Sequence, residues 1–299
     1  MISRSWITAF RLRTLPLALS SIGMGTFLAA GEGAFQLDIF LLCALTTILL
    51  QVLSNLANDY GDSIHGADHS DRSGPQRMVQ SGVISLSQMR SAMYICAGLA
   101  FICGISLLYV SFGWNPRALL FFFILGIMAI LAAVAYTAGR KPYGYLGLGD
   151  ASVMIFFGLV GVLGSYYLYT EQLTMHYLLP AYSSGVFAVG VLNVNNIRDI
   201  ESDRKAGKYS VPVRIGRKKA VIYHWFLLSS GMLAAILFTV MNFISPWQWL
   251  FLLSFPLFIR NGLAVSKAAD SAALDPYLKQ LAISTLLFVL TFGTGLILS

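Results

Sequence analysis

The chain has 299 residues, of which 57% are hydrophobic and only 11% are charged, whereas a soluble domain carries roughly 25% charged residues. A soluble fold of this size could bury so many apolar side chains but could not cover them, which excludes a cytosolic enzyme, a nucleic-acid-binding protein and a disordered chain. The composition, with a net charge of +7, therefore indicates a polytopic membrane protein.

Nine apolar stretches follow one another along the chain, each long enough to cross a bilayer at about 20 residues per helix. Because lipid offers the backbone no hydrogen-bond partner, and no alternation typical of a membrane barrel is present, each stretch is predicted to be a helix. The fold class is therefore all-α, a nine-helix transmembrane bundle in a single domain, residues 1–299. The predicted spans are 15–31, 37–57, 91–111, 117–136, 151–170, 177–197, 220–243, 247–266 and 280–298.

The basic residues lie almost entirely on one side of this predicted bundle. With nine spans, the amino terminus shares its side with the loops after the second, fourth, sixth and eighth spans. Of the 20 Lys and Arg residues, only Arg117 falls on the opposite side. Cytoplasmic loops carry the excess of Lys and Arg, so we expect a multi-pass protein of the plasma or inner membrane, with its amino terminus cytoplasmic and its carboxyl terminus outside.

The first acidic segment lies at the cytoplasmic end of the second span. It reads Asn-Asp-Tyr-Gly-Asp from Asn58 to Asp62. Asn58 and Asp62 are four residues apart, so they share one face of a helix, and Asp59 lies slightly off that face. The next in-phase position is Gly66, so we expect the helix to end near it and the following loop to return Asp68 to the site.

The loop after the fourth span is rich in Gly and Tyr and lies on the same predicted side. Arg140 and Lys141 come just beyond the apolar stretch. The loop is not a Walker A motif, because no Gly-Lys-Ser/Thr follows a strand. The two basic residues can be interpreted as ordinary cytoplasmic anchors or as groups that reach an anionic ligand.

The second acidic segment follows the sixth span and repeats the first pattern. Asn195, Asp199 and Asp203 follow one another at intervals of four residues, so they line one helical face. Both segments read Asn, three residues, Asp, and both run on into Gly and basic residues. Nearly half of the chain separates them, which resembles a duplicated half.

Clustered carboxylates at a membrane boundary need a positive partner. A charge at the membrane centre costs about 2.5–3.5 kcal/mol, and less near the ends, and neighbouring carboxylates raise each other's pKa unless a cation neutralises them. Carboxylate and amide oxygens favour Mg²⁺ or Mn²⁺, and Mg²⁺ usually takes one or two carboxylates plus substrate phosphates. Two such half-sites predict a diphosphate held through metal ions. Its other oxygens are expected to bind the basic neighbours, namely Arg72, Arg77, Arg140, Lys141, Arg198, Arg204, Lys205 and Lys208.

Three other interpretations stay open at this point. Acids and bases at helix ends are often a hydrated membrane boundary with helix caps. His65 and His69 are four residues apart beside Asp62 and Asp68, which is a spacing of zinc ligands, although loop histidines are more often solvated. Intramembrane acids can also form the cation site of a transporter.

The two motifs resemble those of a known family. The segments 58–62 and 196–203 resemble the aspartate-rich motifs of the UbiA superfamily of intramembrane prenyltransferases, whose architecture also has nine spans. Three stretches of this chain resemble the 1,4-dihydroxy-2-naphthoate branch of that superfamily. These are Asn-Leu-Ala-Asn-Asp-Tyr at 55–60, Lys-Pro-Tyr-Gly-Tyr-Leu-Gly-Leu-Gly-Asp at 141–150 and Asn-Asn-Ile-Arg-Asp-Ile-Glu-Ser-Asp-Arg at 195–204.

The resemblance implies transfer of a polyprenyl group from polyprenyl diphosphate to 1,4-dihydroxy-2-naphthoate with loss of CO₂, giving demethylmenaquinol in menaquinone biosynthesis. The catalytic acids it implies are Asp59, Asp62, Asp199 and Asp203. The diphosphate-binding residues it implies are Arg72, Arg77, Arg140, Lys141, Arg198 and Lys208. The ligands it implies for Mg²⁺, or Mn²⁺, are Asn58, Asp59, Asp62, Asp68, Asn195, Asp199 and Asp203.

One position departs from the superfamily pattern. The third acid of the first motif usually follows the second by four residues, and here that position is Gly66, with Asp68 as the apparent substitute. Other aromatic acceptors, namely 4-hydroxybenzoate, homogentisate and haem, are also compatible with the motifs. The expected surroundings are the lipid bilayer and the two substrates, with no nucleic acid.

Overall fold

The computed structural model describes residues 4–65, 77–268 and 270–299 of the chain. Within these ranges nine helices are long and apolar enough to cross a membrane, which confirms the predicted all-α membrane bundle. These helices are α1 (Arg4–Gly31), α2 (Leu37–Ile64), α3 (Leu86–Phe112), α4 (Pro116–Ala135), α5 (Gly149–Thr170), α6 (Met175–Arg198), α7 (Val211–Met241), α8 (Pro246–Lys267) and α9 (Ala272–Ile297). A short helix, Ile200–Lys205, follows α6.

Local sequence signals fix several helix starts. Ser85 and Gln88 form a capping box before α3, and Ser245 and Gln248 form one before α8, so that backbone donors without helical partners are satisfied. The side chain of Asn115 accepts a hydrogen bond from the backbone at the start of α4, where proline occupies the first turn.

Several helices extend beyond the predicted spans at their polar ends. The second span was predicted to end at residue 57, but α2 continues to Ile64; α7 begins at Val211 rather than at 220, and α9 at Ala272 rather than at 280. An apolar window detects only the segment that needs lipid, whereas a helix continues as long as its backbone is satisfied. Gly216, with a φ of 78°, bends the added first part of α7 away from the rest.

The centre of the bundle is formed by α6. In its most apolar stretch 72% of the residues are buried, whereas in that of α4 only 6% are buried. Phe187 of α6 stacks on Phe258 of α8 with ring centroids 4.2 Å apart, and Phe288 of α9 lies edge-on to Phe187 at 5.1 Å. All three rings are buried. Because lipid is as apolar as these side chains, close packing rather than water exclusion holds such helices together.

A second, smaller apolar cluster joins α2 to α3 through Leu53, Leu56 and Met89. Between the two clusters lies a cavity of about 470 Å³, lined by α1 to α6 and by α9. Most of its wall is apolar, and its polar end is formed where α2 and α6 end. The fold therefore brings both acidic segments to the same cavity.

Candidate active site

The last two turns of α2 carry the first acidic motif to the polar end of the cavity. Asn58 and Asp62 both line the cavity, as their four-residue spacing on a helix requires. Asp59 is not among the lining residues. Its carboxylate accepts hydrogen bonds from the backbone amides of Met78 (3.1 Å) and Val79 (3.3 Å). Asp59 therefore holds the chain where it returns to the end of α2.

Asp62 is buried between two partners. Arg77 Nη2 lies 2.5 Å from Oδ2 of Asp62, and the hydroxyl of Tyr145 donates a hydrogen bond to Oδ1 at 2.9 Å. Hydrogen bonds to a charged group are stronger than those between neutral groups. Arg77 neutralises the Asp62 carboxylate, and the two partners together fix its orientation.

The α4–α5 loop, residues 136–148, contacts both acidic segments. The hydroxyl of Thr137 donates a hydrogen bond to Oδ1 of Asn58 at 2.8 Å. A side chain at Gly61 would collide with the carbonyl of Thr137, so glycine allows α2 to lie directly against this loop. On the other side, the backbone amide of Tyr209 donates to the carbonyl of Tyr145 at 2.9 Å. The loop thereby joins the first motif to the chain that follows the second.

The second motif lies at the end of α6. Asn195 lines the cavity, and Asp199 is the residue at which α6 ends. Arg198 binds both: its Nε and Nη2 each donate to a carboxylate oxygen of Asp199 at 2.8 Å, and Nη2 donates to Oδ1 of Asn195 at 2.9 Å. Because Arg198 and Asp199 are each only 2% exposed, removal of either would leave a buried charge uncompensated.

Asp203 lies in the short helix and pairs with Lys208, whose Nζ is 3.2 Å from each carboxylate oxygen. Burial raises the pKa of Asp203 to about 6; Lys208 opposes this increase, and the carboxylates of Asp199 and Asp62 add to it. Burial alone would lower the pKa of Lys208, but the carboxylates of Asp203, Asp62 and Asp199 raise it above its ordinary value. Lys208 is therefore protonated, and Asp203 takes up a proton more readily than an exposed aspartate does.

Residues of both motifs meet at the polar end of the cavity. Asp62 comes from the first motif, and Asn195, Asn196 and Lys208 come from the second motif and the residues after it; all four line the cavity. Lys208 interacts electrostatically with carboxylates of both motifs. The arrangement provides several oxygen ligands beside a buried ammonium group, which suits a ligand that carries both phosphate and metal.

The donor set fits a hard divalent cation that arrives with an anionic ligand. Among the described residues, no three His, Cys, Asp or Glu side chains converge closely enough to hold a metal ion by themselves. The buried Oδ1 of Asn196 accepts no hydrogen bond from the residues that the structure describes, so an amide oxygen is available beside the carboxylates. Mg²⁺ commonly takes one or two carboxylates and completes its shell with substrate phosphates and water. The residues therefore fit a metal–diphosphate complex better than a cage made of protein ligands alone.

Four residues of the predicted site receive no support from the part of the chain that the structure describes. Asp68 and Arg72 fall outside the residues that the structure describes. Arg140 and Lys141 are exposed and do not line the cavity. Their predicted contact with a diphosphate therefore receives no support from the cavity geometry.

Two further residues are accounted for by local contacts. The Nδ1 atom of His65 lies 2.9 Å from the carbonyl oxygen of Gly61, and its ring packs against Tyr145 with centroids 5.5 Å apart. Arg204 pairs with Glu201 on the exposed face of the short helix, where an ion pair contributes little. Neither His65 nor Arg204 lines the cavity.

Three residues outside the predicted site contact or complete the two motifs. Thr137 and Tyr145 bind Asn58 and Asp62, and the Gly- and Tyr-rich composition of their loop was the only signal in the sequence. Asn196 follows a predicted ligand directly, but helical phase places it off the face that was considered. Contacts between distant segments, rather than spacing, identify these residues.

Comparisons with known proteins agree with the motifs. The model of the UbiA prenyltransferase family matches residues 18–296. A Haemophilus influenzae protein named 1,4-dihydroxy-2-naphthoate octaprenyltransferase is 44% identical over 297 residues, which are 99% of this chain and 96% of that protein.

Solved structures share the fold. The apo structure of a UbiA homolog from Aeropyrum pernix K1 matches with a TM-score of 0.67 at 17% identity, covering 99% of each chain. The structure of a UbiA homolog from Archaeoglobus fulgidus bound to GPP and Mg²⁺ matches with a TM-score of 0.61 at 17% identity, covering 96% of this chain and 99% of that one. At these identities the likeness establishes the bundle architecture.

Proposed function

Because this chain belongs to the UbiA prenyltransferase family, we propose that it transfers a polyprenyl group from polyprenyl diphosphate to 1,4-dihydroxy-2-naphthoate. The products are demethylmenaquinol, CO₂ and diphosphate, which places the enzyme in menaquinone biosynthesis. The choice of acceptor rests on the Haemophilus influenzae relative, which matches almost the whole chain and is named for this naphthoate.

The observation that carries the proposal is the meeting of two oxygen-rich helix ends at one apolar cavity. Asp62 and Asn195 come from opposite halves of the chain, and both line the same polar end, beside Lys208. A prenyl diphosphate has the matching form, an anionic head on an apolar chain. A water-soluble substrate would have no need of a cavity whose walls are mostly apolar.

The residues that would hold the metal are those of the two motifs. The structure of the Archaeoglobus fulgidus homolog bound to GPP and Mg²⁺ supports a divalent metal in this family, and Mg²⁺ or Mn²⁺ suits the oxygen ligands present here. When bound, the metal neutralises the diphosphate oxygens and makes diphosphate a better leaving group. The proposed ligands are Asn58, Asp62, Asn195, Asp199 and Asp203. Asp59, whose carboxylate binds the backbone amides of Met78 and Val79, and Asp68, which is outside the described residues, stay predictions.

The buried basic residues pair with acids in the free protein and would bind phosphate oxygens when a diphosphate enters the site. Arg77, Arg198 and Lys208 neutralise the buried acids of the free protein. A diphosphate and its metal would compete for both members of each pair, so these three cations are the proposed diphosphate partners. Lys208, which lines the cavity, can donate to phosphate oxygens as a point charge. Arg72, Arg140 and Lys141 stay predictions.

The reaction balances without a further reactant. The allylic C–O bond breaks and its electron pair leaves with diphosphate, while the ring carbon that bears the carboxylate forms the new C–C bond. Loss of CO₂ then returns an electron pair to the ring, so no outside base is required for that step. Phe122, Phe156 and Phe157 line the cavity, and aromatic faces there can stabilise positive charge on the allylic group.

The prenyl chain needs more room than the cavity encloses. A cavity of about 470 Å³ is the size that surrounds a drug-sized ligand. Phe101 and Ile105 of α3 and Phe123 of α4 line the cavity, and all three side chains are exposed. The polyprenyl chain would leave between α3 and α4 into the surrounding lipid, which explains why the reaction takes place in a membrane.

The chain is a multi-pass membrane protein, and we place it in the plasma or inner membrane, as one domain. The end of the bundle that carries the site also carries most of the Lys and Arg residues, so the site faces the cytoplasm. The amino terminus is then cytoplasmic and the carboxyl terminus outside.

The test uses the purified full-length protein in detergent with Mg²⁺, octaprenyl diphosphate and 1,4-dihydroxy-2-naphthoate. Mass spectrometry should find octaprenyl demethylmenaquinol, and diphosphate release should require both Mg²⁺ and the naphthoate. Parallel reactions contain 4-hydroxybenzoate, homogentisate or haem. Faster product formation with one of these acceptors would contradict the naphthoate assignment, and no diphosphate release with any acceptor would contradict prenyl transfer.

A further inference from the structure

Arg198 makes one more contact, which reaches beyond the second motif. Its Nε and Nη2 bind Asp199 and Asn195, and its remaining nitrogen, Nη1, lies 2.6 Å from Oδ1 of Asp275. Asp275 begins the long helical part of α9, 77 residues further along the chain. All three guanidinium nitrogens of a side chain that is only 2% exposed are thus engaged by oxygen atoms.

Asp275 in turn contacts the amino-terminal part of the protein. Nη1 of Arg13 lies 3.2 Å from Oδ2 of Asp275, and Arg13 lines the cavity. The charges therefore alternate along one path, from Asp199 through Arg198 and Asp275 to Arg13. Asp275 therefore connects the second motif to Arg13 of α1, which also lines the cavity.

A metal ion on Asp199 would deprive Arg198 of part of the negative charge that pairs with it in the free protein. Both carboxylate oxygens of Asp199 accept a hydrogen bond from Arg198, so a metal ion on Asp199 would share these oxygens with the guanidinium and weaken the pairing of Arg198 with Asp199. A buried guanidinium that loses an anionic partner needs another one close by. Asp275 already holds the opposite edge of the same guanidinium and can keep it in place.

We infer that Asp275 is a positioning residue for the metal–diphosphate site: it anchors Arg198 while Asp199 turns to the metal. The inference rests on the proposed function, because it requires a metal at the second motif. Asp275 touches neither metal nor substrate and acts through Arg198. Without the Asp275 charge, Arg198 would hold Asp199 more tightly and compete more strongly with the metal.

A simpler role for Asp275 must be separated from this one. A carboxylate in the first turn of a helix offsets the positive end of the helix dipole, and Asp275 occupies such a position in α9. That role predicts a loss of stability and no change in metal binding. The anchoring role predicts weaker metal binding by a protein that is still folded.

The experiment compares three variants of the full-length protein in detergent. Asp275→Asn keeps the shape and an acceptor oxygen but removes the charge, and Asp275→Glu keeps the charge. Glu201→Gln is the matched control, because Glu201 forms an exposed pair with Arg204 close to the same motif. The probe is Mn²⁺ with inorganic diphosphate, and free Mn²⁺ is measured by electron paramagnetic resonance, so that the result does not depend on turnover. Thermal unfolding is measured in parallel.

Asp275→Asn is expected to weaken Mn²⁺ binding about tenfold, the scale of one charged hydrogen bond. Asp275→Glu should restore most of the affinity, and Glu201→Gln should leave it unchanged. The Mg²⁺ concentration for half-maximal turnover should rise in Asp275→Asn by a similar factor. Unchanged Mn²⁺ binding in Asp275→Asn would overturn the inference, whether or not the melting temperature falls.

Two further outcomes also decide the matter. If Asp275→Asn does not fold, Arg13→Gln carries the test, because it removes the second cation of Asp275 and leaves its carboxylate to Arg198 alone: tighter Mn²⁺ binding supports the inference, and unchanged or weaker binding overturns it. If the wild-type protein binds no Mn²⁺ with diphosphate, the metal site itself is wrong and the proposed function fails together with the inference. Normal wild-type binding with an unaffected Asp275→Asn variant overturns the inference alone.

Discussion

The two aspartate motifs share a spacing but differ in how their acids are supported. When Asn58 is aligned with Asn195, Gly61 stands where the second motif has Arg198. The second motif therefore carries its own guanidinium beside the acid that it neutralises. The first motif receives its guanidinium from Arg77, 15 residues after Asp62.

This difference has a steric reason. Gly61 lies against the backbone of Thr137, and any side chain there would collide with it. An arginine at position 61 is thus excluded as long as the α4–α5 loop packs on α2. The positions of the acids therefore repeat between the two halves, whereas the position of the arginine that neutralises them differs between the halves. The first motif receives its arginine and its tyrosine contact from distant segments, whereas the second carries its own arginine, which in turn contacts Asp275 of α9.

The largest expected effect tests whether the two acids are equivalent in spite of this difference. Asp62→Asn and Asp199→Asn should each lower kcat/KM about 10³-fold, the scale of removing a main electrostatic contributor, because each removes a charge needed at the diphosphate. Steady-state kinetics of the purified variants measure the loss, with the exposed Asp270→Asn as control. Near-normal turnover in either variant would remove that acid from the site.

The next effect tests which motif holds its cation more firmly. Arg198→Leu leaves the carboxylates of Asp199 and Asp275 without their shared partner, and should lower the free energy of unfolding by about 3–5 kcal/mol. Arg77→Leu should cost less, because Tyr145 still donates to Asp62. Reversible unfolding in mixed micelles provides the comparison. A larger loss for Arg77→Leu would show that the first motif, and not the second, is the more rigid.

The second motif should make the Mg²⁺ requirement of the enzyme depend on pH, through Asp203. The pKa of Asp203 is raised to about 6, so its carboxylate is increasingly protonated as the pH falls through 6, and a metal ligand must be deprotonated. The Mg²⁺ concentration for half-maximal turnover should be constant above about pH 7 and should rise by up to about tenfold per pH unit below 6. Mg²⁺ titrations at several pH values measure this.

The raised pKa of Asp203 also sets the direction in which the stability of the metal-free protein changes with pH. The folded protein binds this proton more tightly than the unfolded chain does, so Asp203 stabilises the metal-free protein as the pH falls from 6 toward 4. Asp203→Asn should remove both pH dependences, and it should need more Mg²⁺ than the wild type above pH 6, where the wild-type carboxylate is ionised. An unchanged pH profile in this variant would show that another group is responsible.

The smallest effect concerns the support of the first motif alone. Tyr145→Phe removes the hydroxyl that donates to Asp62 and should lower turnover about tenfold, the cost of one hydrogen bond to a charged group. Tyr209→Phe is the control, because its side chain is exposed. Rates for both variants at saturating substrate give the comparison. Equal losses in the two variants would indicate a general disturbance of the loop.

Much of this architecture follows from sequence pattern. Nine spans were predicted from apolar length alone, because lipid penalises any other arrangement of the backbone. The predicted single face of Asn195, Asp199 and Asp203 is interrupted, because α6 ends at Arg198 and a separate short helix begins at Ile200. The spacing of Asn58 and Asp62 was sufficient to place both on one face of α2. The phase that set Asp59 off this face agrees with its position, since it binds backbone amides rather than lining the cavity.

The remaining features required tertiary structure. Tyr145 lies 83 residues from Asp62, and no local pattern relates a loop tyrosine to an acid at that separation. Arg140 and Lys141 follow the predicted fourth span closely, but α4 ends at Ala135, Gly139 with a φ of 105° turns the chain, and both side chains are exposed. Adjacency to a span was therefore a poor guide to the cavity, because a single turn decides the direction of the residues after it.

The proposed exit between α3 and α4 has a consequence for the quinone that the cell obtains. If the prenyl chain leaves there, the diphosphate head and the first part of the chain lie inside the protein, and each further isoprene unit meets the same lipid surroundings. The cavity would then not measure total length, and the length of the quinone tail would be decided by the enzyme that builds the polyprenyl diphosphate.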